Sequence, residues 1–267
     1  AIQLKPDYAL AWMARAIANV WKEDFAGALA DYDRALELKP DDTVIRANRA
    51  VTRVSMKDFD GALEDYARAL ELKPDDPALY AGRAKARIEK GDHDGAVADY
   101  TKAIELAPDR VDYLFERGQA RRRKGDLDGA IADYTKTIEL RPRYLLAWNW
   151  RGLVREDKGD LDGALADHEE ALRLRETDPV LHGNRARVRM AKGDVDGAIA
   201  DYDRALAIDP QLKAPWKNRA HTKRRKGDLA GAIADFRRVL ELAPADPQAA
   251  AIREEIARME AAVLQRR

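Results

Sequence analysis

The stretch GDLDGAIADYTKTIELRP, residues 125–142, decides how this chain is read, because it is written again as GDLDGALADHEEALRLRE at 159–176. The two copies stand 34 residues apart. Outward from them, the closing proline falls at Pro6, Pro40, Pro74, Pro108 and Pro142, then at Pro210 and Pro244, with Glu176 in the vacant place. A fixed period of this length marks an architecture in which each repeat is one supersecondary motif that buries its apolar face on its neighbours. Seven units are expected, 7–40, 41–74, 75–108, 109–142, 143–176, 177–210 and 211–244. Residues 1–6 read as the end of a truncated preceding repeat helix, and 245–267 as a capping helix with Ile252, Ile256, Met259 and Val263 on one face.

Each unit divides into two amphipathic helices, for example 111–124 and 128–141, around a Gly-Asp turn. Gly91, Gly125, Gly159, Gly193 and Gly227 stand just past the first helix, where a left-handed cap suits glycine. Glu23 and Lys57 take that place in the first two units, which predicts less favourable turns there. Asp60, Asp94, Asp128, Asp162 and Asp196 are expected to cap the second helices. Asp76-Pro77, Asp178-Pro179 and Asp246-Pro247 read as a capping Asp followed by Pro at the first helical position. The glycine of the recurring Asp-Gly-Ala (Gly61, Gly95, Gly129, Gly163, Gly197) falls in a helical first turn, where it should cost some stability, and nothing local explains it. Small residues such as Ala16, Gly118 and Gly152 on first helices and Ala28, Ala130 and Ala164 on second helices allow close approach, with Trp12, Trp148, Trp216 and Tyr134 filling the space beside them.

With Trp148, Gly152, Gly159-Asp160, Ala164 and Ala171 at these spacings, the sequence resembles the tetratricopeptide repeat family along essentially its whole length. The resemblance implies an all-α fold, a right-handed superhelix of antiparallel helix pairs whose first helices line a concave groove. One departure stands out. Arg15, Arg49, Arg83, Arg117, Arg151, Arg185 and Arg219 occupy a first-helix position that is commonly apolar in the family, and Asp31, Asp65, Asp99, Asp133, Asp167, Asp201 and Asp235 recur as strictly on the second helix. We expect each Arg to pair with the Asp of its own or the adjacent hairpin in a structural ion pair that fixes register. A second basic row, Arg53, Arg87, Arg121, Arg155, Arg189 and Lys223, either is solvated or shares the same carboxylates.

Nothing in the chain spells out chemistry. There is no cysteine, the single serine is Ser55, and the four histidines His93, His168, His182 and His221 lie in four different repeats without metal-ligand spacing. No catalytic group, cofactor or metal is expected. Basic and acidic residues number 48 each, and no apolar run approaches the roughly 18 residues of a membrane span. These features fit a cytoplasmic protein and are compatible with the periplasm.

The resemblance places partner binding on the inner face of the first helices. That face carries Met13, Ile17 and Trp21, then Val51, in the first two units; Lys85, Phe115, Gln119, Arg122 and Arg123 in the next two; and Asn149, Trp150, Leu153, Arg187, Lys217, His221, Arg224 and Arg225 in the last three. It grades from apolar to basic. The expected partner is therefore a protein or peptide with apolar and acidic residues, extended or helical, and the apolar end offers a route to self-association. Family members that grip chaperone tails use a lysine and asparagine set; here Met13, Ile17, Asn48, Ala78 and Gly82 stand there and only Asn48 fits. The runner-up from another class is an RNA-binding array, suggested by Arg121-Arg122-Arg123-Lys124 and Lys223-Arg224-Arg225-Lys226, against which balanced charge and few groove aromatics weigh. A third reading is a purely architectural or oligomerising segment of a larger bacterial protein, or a designed consensus-like array.

Overall fold

The structure of the protein, a computed structural model, describes residues 7–265; the helix end expected at 1–6 lies outside them. Every described element is a helix. They are α1 Ala9–Trp21, α2 Phe25–Leu38, α3 Thr43–Ser55, α4 Phe59–Leu72, α5 Pro77–Lys90, α6 His93–Leu106, α7 Val111–Lys124, α8 Leu127–Leu140, α9 Leu145–Asp157, α10 Leu161–Leu174, α11 Pro179–Ala191, α12 Val195–Ile208, α13 Lys213–Lys226, α14 Leu229–Leu242 and α15 Ala249–Gln265.

The helices begin and end where local chemistry requires. A helix leaves its first N–H groups without partners, and every second helix satisfies one of them the same way. Asp24, Asp58, Asp92, Asp126, Asp160, Asp194 and Asp228 accept from the backbone N–H of Gly27, Gly61, Gly95, Gly129, Gly163, Gly197 and Gly231. The cap is thus the Asp directly after the turn, two residues before the expected Asp60, Asp94, Asp128, Asp162 and Asp196. Four of those, Asp60, Asp94, Asp162 and Asp196, lie inside the first turn and accept ion pairs from Lys90, Lys124, Lys192 and Lys226 of the following hairpin. This geometry also accounts for the Asp-Gly-Ala glycine: a Cβ on Gly129 would lie 2.7 Å from Asp126 Cγ and 2.9 Å from Arg121 Cδ. The capping carboxylate occupies the space.

Turn residues behave as the spacing implies. Gly125 ends α7 at φ 89°, while Glu23 and Lys57 hold the same left-handed conformation at 62° and 63° without glycine's freedom. Asp76 and Asp178 cap α5 and α11 with Pro at the start of each. Asp246 makes the same side-chain bond, accepting from the Gln248 N–H at 2.8 Å, but α15 starts only at Ala249, so Pro247 lies in the turn before the helix.

Residues up to Arg141 and from Pro142 onward form two compact units, α1–α8 and α9–α15. Within each, consecutive helices pair as hairpins, and each second helix packs on the first helix of the next. Alanines at the crossings are fully buried, among them Ala16, Ala28, Ala50, Ala62, Ala186 and Ala198. In two hairpins the residue at the crossing is glycine, and Tyr134 and His168 fill the space that a Cβ on Gly118 or Gly152 would need, at 2.7 Å and 2.9 Å. α15 closes the second unit by laying Ile252, Ile256 and Met259 on Phe236 and Val239 of α14.

Candidate protein-binding surface

The framework is fixed by one repeated polar device. Arg15, Arg49, Arg83, Arg117, Arg151, Arg185 and Arg219 donate from Nε and Nη2 to both oxygens of Asp31, Asp65, Asp99, Asp133, Asp167, Asp201 and Asp235, at 2.5–3.0 Å. The carboxylates are buried. The second basic row shares them: Arg53, Arg87, Arg121, Arg155, Arg189 and Lys223 reach the same Asp residues at 2.8–2.9 Å. In the first hairpin Asn19 takes that place at 3.1 Å. An aromatic ring lies under the guanidinium at Trp12, Tyr80, Trp148 and Trp216, 4.6–5.6 Å from ring centre to Cζ. Trp148 and Trp216 in turn donate from Nε1 to the Pro142 and Pro210 carbonyls. The device also joins hairpins, since Arg49 bonds Asp33, Arg219 bonds Asp203 and Arg117 bonds Thr101 of the preceding second helix. The hydrogen-bonded Asp99 carboxylate raises Arg83 above its ordinary range.

With these charges held inside, the first-helix face displays what remains. In the first unit Leu10, Ile17, Trp21, Val44 and Val51 are exposed, Trp21 to 85%, and Met13 is half-buried beneath the Asn48 amide. Lys85 and Arg123 are exposed; Gln119 and Arg122 are half-buried. Phe115 does not belong to this face. It is buried with its ring centre 5.7 Å from that of Tyr134. In the second unit Leu146 and Val180 are exposed and Asn149, Trp150 and Leu153 half-buried.

The basic character inferred for the second unit is largely neutralised. Arg187 forks onto Glu156 with two 2.7 Å bonds, Arg224 pairs with Glu255, His221 lies 3.7 Å from the same carboxylate, and Lys217 bonds Gln248 at 2.6 Å. The two basic clusters fare alike: Arg121, Lys124, Lys223 and Lys226 are each paired to an Asp. Lys85, Arg123, Lys217 and Arg225 are groove cations that form no ion pair among the described residues. The sequence could not display this, because the neutralising Glu156 and Glu255 sit 31 residues from their arginines on a neighbouring helix.

A cleft that sequence reasoning passed over opens in the second unit between α11 and α13. Its volume is about 160 Å³, and its lining includes Val180, Gly183, Asn184, Tyr202, Leu212 and Asn218. The signal was present in Gly183, a glycine in mid-helix with no turn to make. No described helix is long and apolar enough to cross a membrane, and no group of three His, Asp or Glu among the described residues could hold a metal ion.

Tetratricopeptide repeat family models match residues 22–88, 115–179 and 185–257, and a TPR repeat model matches 84–125. The chain belongs to the tetratricopeptide repeat proteins, which in general are non-catalytic scaffolds that bind protein or peptide partners. No curated protein matches it in sequence. Among solved structures it is similar to the C-terminal part of a TPR repeat-containing protein from Cytophaga hutchinsonii, at TM-score 0.73 and 19% identity over 90% of this chain and 98% of that one. A tetratricopeptide repeat protein from Parabacteroides merdae gives TM-score 0.67 and 18% identity over 94% and 98%. YrrB, described as a TPR protein with an unusual peptide-binding site, gives TM-score 0.58 and 21% identity over 69% and 95%.

Proposed function

We propose that the chain is a non-catalytic scaffold that captures a peptide or helical segment of a partner protein on its first-helix face. The observation that carries this reading is the exposure of apolar side chains at matching repeat positions on first helices, Leu10 with Val44 and Ile17 with Val51, while the charges of the frame are spent on one another. Exposed apolar surface of this kind is what a soluble partner covers. The partner is accordingly apolar in the main, with acidic residues opposite Lys85 and Arg123. On second helices the exposed large apolar residues among the described residues are Leu140 and Ile208, each at the last position of its helix and two periods apart.

The test is capture by the intact chain compared with a Val51→Asp, Trp21→Ala double variant, followed by identification of the retained proteins by mass spectrometry. Loss of the same partners with retained helicity supports the reading; unchanged capture rejects it. The same patch serves self-association, so light scattering on both proteins separates a partner surface from a dimer surface. An RNA reading draws little from basic clusters already bound to carboxylates, and a gel shift with mixed RNA at physiological salt checks it.

A further inference from the structure

We propose that the cleft between α11 and α13 is a socket for one aliphatic side chain, valine to leucine in size, carried by an extended neutral peptide segment. The inference rests on the peptide-binding reading above and names the chemistry of the ligand at one place on that face.

The cleft exists because of Gly183. The corresponding residues of the other repeats are Met13, Ala47, Ala81, Phe115, Asn149 and Lys217, and each puts side-chain atoms where α11 has none. A Cβ built on Gly183 would meet nothing within 4 Å, so the space is open and not filled by a neighbouring ring as at Gly118 or Gly152. Its volume of about 160 Å³ compares with the roughly 150 Å³ of an apolar cavity that admits benzene. A branched aliphatic side chain fits.

The lining sets the polarity of the ligand. Val180, Leu212 and Pro215 supply apolar walls. Arg187 stands at the rim, but both of its bonds go to Glu156, which removes the demand for an acidic group. The polar groups left are carboxamides. Asn184 donates from Nδ2 to Asn149 Oδ1 at 2.9 Å, which turns its own Oδ1 away from Asn149, and that oxygen accepts no hydrogen bond from the described residues. Asn218 lies across the cleft, which it lines together with Tyr202. A neutral acceptor beside an apolar socket suits a backbone N–H flanking an aliphatic side chain, and suits a carboxylate poorly.

The test uses the intact chain and a phage-displayed random dodecapeptide library, with recovered peptides measured by fluorescence polarisation. The wild-type chain is compared with Gly183→Met, which fills the socket from within, with Val180→Ser, which removes an exposed wall, and with Lys136→Met as a control on the second helix α8, away from the first-helix face. The expected result is a set of peptides sharing one required Val, Ile or Leu, bound at least tenfold more weakly by Gly183→Met, several-fold more weakly by Val180→Ser, and equally by Lys136→Met. Gly183→Met should keep the wild-type circular dichroism and melt no lower than wild type, since nothing stands in its way and methionine is the better helix former. Peptides that bind all variants equally, or that require an acidic residue or tryptophan, overturn the socket while leaving the peptide-binding reading intact. Recovery of no peptide at all overturns both.

Discussion

At the level of single residues, the buried aspartates carry the largest burden. Asp133 takes bonds from Arg117 and Arg121 at 2.7–3.0 Å and is itself buried. Asp133→Ala leaves the half-buried Arg117 guanidinium without a counter-charge and Arg121 with only Asp126 at 3.6 Å, and we expect a loss of about 3 kcal/mol in urea unfolding. Asp31→Ala should cost less, because the Arg15 side chain is 50% exposed and water takes over part of the role. His168 gives a pH dependence of definite sign. Burial pulls its imidazole down to about 4, helped by the nearby Arg187 and Arg185 and opposed by Glu156. Above pH 6.5 the ring is neutral whether the chain is folded or not. As pH falls from 6.5 to 4 the unfolded chain takes a proton that the buried ring refuses, so stability drops by about 3 kcal/mol over that window. His168→Tyr should abolish this component, and it should fit, because the Gly152 opposite His168 matches the Gly118 opposite Tyr134. Equal acid sensitivity in both proteins would reject the assignment.

Among helices, two kinds of interior glycine should respond in opposite ways. Gly129→Ala pushes a methyl into the Asp126 cap and should give up the advantage that alanine normally has in a helix, with a net loss of up to about 1 kcal/mol as the cap is displaced. Gly183→Ala meets no obstacle and should gain roughly that amount. At the turns, Glu23→Gly and Lys57→Gly should each stabilise by about 0.5–1 kcal/mol, since left-handed backbone costs a side-chain-bearing residue more than glycine's added freedom costs the unfolded chain. Thermal melts of these four variants test the signs together. This is also the scale at which the sequence was most readable. Helix positions followed from Gly125, Asp76-Pro77 and the proline ladder, because those residues act within a turn of where they stand. The cap was misplaced at Asp128 for a related reason: two aspartates flank Leu127, and only the reach of a carboxylate to the Gly129 N–H distinguishes them. The binding face was less readable. Phe115 turns inward onto Tyr134, and Arg187 and Arg224 are neutralised from the next helix, effects that no local pattern records.

For the molecule as a whole, stability should behave as a sum of hairpin terms and nearest-neighbour terms, because each hairpin packs only on those adjacent to it. Hydrogen exchange on Asp31→Ala should therefore show faster exchange in α1 to α4 with protection in α5 to α8 unchanged; uniform loss of protection along the first unit would contradict this. The joints between hairpins are built from repeating parts, with Lys90 on Asp60 and Lys124 on Asp94 in one unit, and Lys192 on Asp162 and Lys226 on Asp196 in the other. A hairpin so joined meets the same handholds wherever in the row it is set down. Gene segments coding for whole multiples of the period can thus be lost, doubled or exchanged without a broken seam, and the length of the row becomes something that selection can adjust while the contents of the binding face drift independently.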